Sequence, residues 1–344
     1  MRPIIIHHHN DLSMGGTQKM CQIMMKHFVK DTTFNHVLAY KVQGDRTREI
    51  YFREIMGQNK LAAYSSIPEF VAIINKVKPF IIHRYSAGIP EFPFIPAVSQ
   101  HTDHFVSTSV FGNQDDTIPI SKVIFVSKHI QHLANRFGDK YEVVRNAVED
   151  KVTDENLRKD LKIDGDTIVF GHIGRPDDNT FDNLNLMAYK EIEDENTMFL
   201  WLPDHENARN AAKDIGIKNI IFLPRTMDDT ELGKFYNTIN VLAHSRKDGE
   251  CNPAVMFEAF AYSVPVISHY GMPFNGHVEC IADAGFVVPP GDIKEYARIM
   301  ERFKNKTIDY YNLMINARKR YDEWGRDKKW AQKQLNIYKG LLNG

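Results

Sequence analysis

The sequence predicts an α/β protein made of two parallel-sheet domains, and three observations carry that prediction. Short apolar runs alternate with helix-period segments from end to end, as βα units require. The 344 residues exceed one ordinary core. The polar stretch from Glu149 to Asp166 interrupts the alternation, which restarts at Ile168.

In order along the first half, apolar runs place strands at 3–7, 37–40, 80–83, 97–99, 123–126 and 142–144. Helical periodicity fills the gaps at 17–30, 47–57, 67–77 and 128–137. After the break, strands are expected at 168–173, 198–202, 220–223, 241–244, 264–268 and 285–287. Helices are expected at 181–190, 206–215, 229–238, 253–262 and 293–303. The domains are therefore 1–150 and 151–322, and the cleft between two such domains is a common ligand site. The tail is helical, amphipathic and aromatic. From about residue 323 to 344 it is expected to pack back across the first domain, anchored by Trp324 and Trp330.

Composition narrows the function. A 43% hydrophobic and 25% charged chain is an ordinary globular protein, and a net charge of −1 gives no bulk attraction to nucleic acid. Cys21, Cys251 and Cys280 have neither metal-ligand nor disulfide-framework spacing, which favours a reducing compartment. No apolar run reaches the roughly 20 residues needed to span a bilayer. The Ile4-Ile5-Ile6 run is too short for a signal peptide. A cytoplasmic location is expected. The triple His7-His8-His9 does not make a metal site, because neighbouring strand residues point to opposite faces.

The chemistry concentrates in NVLAHSRKDGECNPAVMFEAFAYSVPVIS, residues 240–268. Glu250 falls in the loop after a strand, and Glu258 just over a turn inside the next helix. Asn252 suits the cap and Pro253 the first turn, where a missing N–H costs nothing. Such a loop is where open α/β sheets bind ligands, and the helix start beside it attracts anions. Two carboxylates there would repel a phosphate but would accept hydrogen bonds from hydroxyls. A nucleotide sugar, with a diphosphate between two polyhydroxylated rings, fits both.

With its flanks FLPRTMDDTELGKFYNTINVLAHSRKDGE upstream and GFVVPPGD downstream, this stretch resembles the family 4 retaining glycosyltransferases, whose E-x7-E motif would be Glu250 and Glu258. The resemblance implies the GT-B fold: two facing Rossmann-like domains with a central cleft and a C-terminal helix crossing back. It makes the first domain the acceptor side and the second the donor side. It implies that Glu250 binds hydroxyls of the transferred sugar and Glu258 the ribose. Backbone groups of Pro253, Ala254 and Val255 beside Asn252 would face the diphosphate; proline has no N–H, so Ala254 and Val255 are the donors. GHIGRPDDNTF, residues 171–181, looks like the family's G-R-x4-K clamp, with Arg175 in the Arg position and Thr180 where the lysine stands. Lys247, Arg246 and Arg225 are the candidates to compensate, and a loop such as Pro224-Arg225-Thr226 is a candidate for the base.

In the first domain, Gly15 and Gly16 are similar to the family's GG loop near donor and acceptor. His83 and His101 are expected at strand ends facing the cleft, with His101, near Asp103, on the far hydroxyl of the sugar. Glu142 to Asp150 resembles the segment closing the first domain, with Asn146 its firm match and Arg145 and Ala147 departing from it. The implied partners are a nucleoside diphosphate sugar and a hydroxyl acceptor such as a glycan, lipid or small molecule. No cofactor and no metal are implied, and Asp177-Asp178 is not read as a metal pair. Lys328, Lys329 and Trp330 leave a membrane contact open; a packed amphipathic helix is the plainer reading. The absent clamp lysine keeps a second reading, a nucleotide-sugar-binding protein that has lost catalysis. A glycosidase is disfavoured, since it needs carboxyls about 5–5.5 Å apart and leaves the phosphate-directed features unexplained.

Overall fold

The computed structural model describes residues 2–86, 103–175 and 177–343. The chain divides into two compact units, Met1–Val148 with Asp327–Gly344, and Glu149–Arg326.

The sheet of the first unit holds β1 (Ile4–His9), β2 (Asn35–Lys41), β3 (Leu61–Tyr64), β4 (Ile81–Ser86), β5 (His104–Ser109), β6 (Lys122–Phe125) and β7 (Tyr141–Val143). All pair in parallel, in the order β3-β2-β1-β4-β5-β6-β7. The order reverses direction between β1 and β4, the Rossmann switch point. A central strand flanked on both sides reads as an unbroken apolar run, and β1 begins so with Ile4-Ile5-Ile6. Its second half is three histidines, all buried. They alternate across the sheet: the His7 ring stacks on Phe28, while His8 bonds Tyr64 at 2.6 Å and meets the edge of Phe70.

The helices Gly16–Phe28 and Asp327–Leu342 pack against one face. The second of these fills the core with Trp330, Leu335 and Tyr338. It also inserts Gln334, whose amide donates to Tyr85 at 2.9 Å. Of the two tail tryptophans, only Trp330 belongs to this unit; Trp324 lies in the second.

Some expectations need correction. The strand expected at 97–99 lies outside the described residues. The strand beside β4 is β5, HFVSTS, whose polar run concealed it from sequence reading. Its hydroxyls are usable in the interior because partners exist: Thr108 bonds the His83 ring at 2.8 Å. His83 therefore sits inside β4 as a core residue, 0% exposed, not at a strand end. The helix expected at 128–137 ends at Ala134, because Asn135 turns left-handed at φ 50°. Phe137 beyond it is exposed.

The second unit repeats the plan with β8 (Ile168–Ile173), β9 (Thr197–Leu202), β10 (Ile220–Phe222), β11 (Val241–Ala243), β13 (Val266–His269) and β15 (Gly285–Val288). Their order, β10-β9-β8-β11-β13-β15, is again a Rossmann order with its switch between β8 and β11. The pairing is parallel throughout. Two short strands escaped the sequence reading: β12 (Gly249–Glu250) pairs with β14 (Phe274–Asn275) outside the main sheet. Two residues carry no periodicity to read. The expected two-domain α/β fold is thus borne out.

Candidate active site

At the switch point of the second unit the chain leaves β8 and β11 in opposite directions, so their carboxyl ends open a crevice. The pocket there is lined by His172, Gly174, Arg175 and Thr180 after β8, and by His244, Ser245, Arg246 and Glu250 after β11. Its floor follows from register. His172 and Trp201 are paired across β8 and β9, and their rings stack with centroids 3.9 Å apart. Burial, then repulsion from His244, pushes His172 down to about 3, so the stacked ring is neutral. Asn185 holds that ring from the far side, 3.1 Å from Nδ1, while donating to the Ala243 carbonyl at 2.8 Å.

Glu250 points its carboxylate between two basic groups, His244 Nε2 and Arg246 Nη1, each 3.6 Å away. Burial works against its charge, but His244 and Arg246 outweigh it, so the carboxyl is held below its usual range. Asp182 balances in the same way beside His269 at 3.3 Å. Both acids are ionised at neutral pH. Chemically the pocket presents fixed hydrogen-bond acceptors next to arginine, on a neutral aromatic floor.

Glu250 is positioned by the β12–β14 pair, and that pair depends on Gly249. Its φ is 70°, and an added Cβ would run into the Phe274 carbonyl. Gly249→Ala is expected to destabilise the protein by at least roughly 2 kcal/mol. Urea unfolding measures this; a loss under about 0.5 kcal/mol would contradict the geometry.

Glu258 lies on the following helix, Ala254–Ala261. It is half-buried and accepts a 2.8 Å hydrogen bond from the Tyr236 hydroxyl. The cap differs from expectation. Pro253 is the N-cap residue, no side chain caps the helix, and its first turn holds no acid. Asn252 is instead turned into the interior, 4% exposed, with its Oδ1 near the Cys280 thiol. The helix start thus keeps its N–H groups and positive end unopposed by its own acids.

Other sequence candidates are placed less centrally. Arg175 is exposed at the pocket rim and Thr180 half-buried beside it. Arg225 is exposed in the loop after β10 and does not line the pocket. Asp178 is engaged by Asn207 at 2.6 Å and His205 at 3.1 Å, and Asp177 closes its own turn onto Asn179. In the first unit, Gly15 is the N-cap of the Gly16–Phe28 helix, which has neither a side-chain cap nor an acid in its first turn. A Cβ on Gly16 would meet open space, whereas Gly15 is crowded by Gln18. Asp11 organises this loop, accepting from Ser13 N–H and Gln18, both at 2.9 Å. His101 lies outside the described residues. Sequence reading passed over Trp201, His172, Asp182 and His205; the available signal was that His172 and Trp201 fall at the carboxyl ends of predicted strands and His205 just beyond one.

Residues 153–320 match the family described as "Glycosyl transferases group 1". No curated protein sequence matches the chain. Among solved structures, a glycosyltransferase from Rickettsia africae aligns over 99% of both chains at 18% identity and a TM-score of 0.79. Anabaena HepE in complex with UDP-glucose aligns over 99% of this chain and 100% of its own, at 13% identity and 0.78. Sucrose-phosphate synthase from Thermosynechococcus elongatus does so over 99% and 100%, at 16% and 0.74. Identities this low show the fold, which is GT-B. The family match over the second unit supports glycosyl transfer.

Proposed function

We propose that the protein moves a sugar from a nucleoside diphosphate sugar to an acceptor hydroxyl, of a glycan, lipid or small molecule, with retention of anomeric configuration and without a metal. The observation that carries this reading is the switch-point pocket, lined by Arg175, Arg246 and an ionised Glu250, with an uncapped helix beginning four residues after Glu250 in the chain. In it, Glu250 accepts hydrogen bonds from the transferred sugar and Glu258, steadied by Tyr236, from the ribose. Ala254 and Val255 offer N–H groups to the diphosphate, and Arg175 adds a bidentate cation. Charge developing on the leaving diphosphate is what these groups stabilise. The retreating diphosphate takes the acceptor's proton, which accounts for a motif without an obvious nucleophile. Gly15 and Gly16 give the chain close approach to the donor, and Arg225 belongs to the base-binding loop. His101 is assigned the far sugar hydroxyl.

HepE binds UDP-glucose, which makes UDP the first nucleotide to try. Thermal-shift screening with UDP, GDP, ADP and their sugars is expected to raise the unfolding temperature for one base series. Transfer with that donor should give the donor's anomer by NMR and survive EDTA. No response to any nucleotide would sink the reading; an inverted product would sink retention alone.

The second reading, binding without transfer, rests on Thr180, where the resemblance implies a lysine. It predicts nucleotide binding with neither transfer nor donor hydrolysis. Among the described residues no helix is long and apolar enough to cross a membrane. The three cysteines are buried and form no disulfide, which supports a reducing, cytoplasmic setting for this activity.

A further inference from the structure

The segment after β8 brings one cation to the pocket, Arg175, and ends on the neutral Thr180. What lies against that end is the connection between β11 and β12. The N–H of Lys247 donates to the Thr180 carbonyl at 3.2 Å, so the two backbones touch there. Arg246, one residue earlier, lines the same pocket as Thr180 and Arg175. Lys247 itself is exposed and does not line it.

The Arg246 guanidinium is held rather than free to swing. Its Nε and Nη2 donate to the two oxygens of Asp248 at 2.6 and 3.1 Å. Its backbone N–H donates to His269 Nε2 at 3.2 Å. Nη1 remains, facing the Glu250 carboxylate at 3.6 Å, too far for a hydrogen bond. That leaves Nη1 as the guanidinium nitrogen not bonded to Asp248, on an arginine that lines the pocket together with Thr180 and Arg175. Asp248 sets its direction.

We propose that Arg246 is the second cation that meets the donor diphosphate, supplied from the β11–β12 connection in place of a lysine at position 180. This rests on the reading of the pocket as a nucleotide-sugar site. A charged hydrogen bond to phosphate, lost without replacement, weakens binding by roughly tenfold to a hundredfold.

Calorimetric titration with UDP and with uridine tests it, GDP or ADP and their nucleosides being used if one of those is the nucleotide bound. Arg246→Met is expected to weaken the diphosphate at least about tenfold and the nucleoside less than about threefold. Lys247→Met should leave both unchanged. Thr180→Lys added to Arg246→Met should recover most of the diphosphate affinity, because it restores a cation to the same space. If Arg246→Met does not fold, Arg246→Gln with Asp248→Asn removes the pair together and should show the same selective loss. Diphosphate affinity within threefold of wild type in a folded Arg246 variant overturns the inference and leaves the pocket reading standing. So does a Thr180→Lys change that recovers nothing. A wild-type protein that binds none of the three diphosphates overturns both.

Discussion

Glu250→Gln is expected to lower sugar transfer by a factor on the order of 10² to 10³ while leaving nucleoside diphosphate affinity within about threefold. The two halves of this prediction come from the position of the carboxylate. It stands beside His244 and Arg246, which keep it ionised despite burial, and not on the helix whose first turn is proposed to meet the diphosphate. An ionised acceptor makes hydrogen bonds to hydroxyls roughly twice as strong as a neutral one. Glutamine preserves shape and one acceptor but removes the charge, so the sugar loses its strongest fixed contact. Any positive charge growing at the sugar carbon also loses its nearest anion. Arg246 keeps Asp248 as a partner, so the fold should tolerate the change. Steady-state transfer rates and a UDP titration measure the two halves. Near-wild-type transfer would remove Glu250 from the chemistry; a large loss of UDP affinity would move it from the sugar to the nucleotide.

How much of this was legible beforehand depends on what kind of pattern each feature leaves. The strands that make the switch points are apolar runs, so β1, β8 and β11 could be read, and the Rossmann order follows from parallel βα units. The helix that follows Glu250 could be read because helix-start chemistry is local, whereas Arg175 was reached only through the resemblance of residues 171–181. Polar residues inside the fold could not. HFVSTS reads as a loop until Thr108 is seen against His83, and IIIHHH reads as a strand end until both neighbours of β1 cover it. The Trp201–His172 floor needs the register between two strands, which the sequence does not state. The misplaced cap has a similar cause. Asn252 satisfies every local rule for an N-cap, but tertiary packing draws it inward beside Cys280, and Pro253 takes the boundary.

The same buried histidines give the largest expected effect on stability: the first unit should unfold as pH falls from about 6.5 towards 4. His7, His8, His9, His36 and His83 are all buried there. Burial is the leading cause in each case, and it pushes His9 and His36 down to about 4 and holds His7, His8 and His83 well below the usual value. Mutual repulsion deepens this for His7, which faces His36, His83 and His9. Asp31 and Asp11 pull the other way, on His36 and His9, without cancelling it. An unfolded histidine titrates near 6.5, so between that pH and the folded value the unfolded chain binds more protons. Stability is therefore fully present above about pH 6.5 and is lost on acidification. For a group at about 4, the loss at pH 5 is roughly 2 kcal/mol. A few such groups together match the whole stability of an ordinary domain. The C-terminal helix should be released in the process, since Tyr338 and Gln334 bond the neutral His83 ring. Circular-dichroism melts at stepped pH, followed beside Trp330 fluorescence in single-tryptophan variants, should show this unit's transition falling by tens of degrees between pH 7.5 and 5. A midpoint that moves by less than about 3 °C would mean that these rings carry protons in the folded protein.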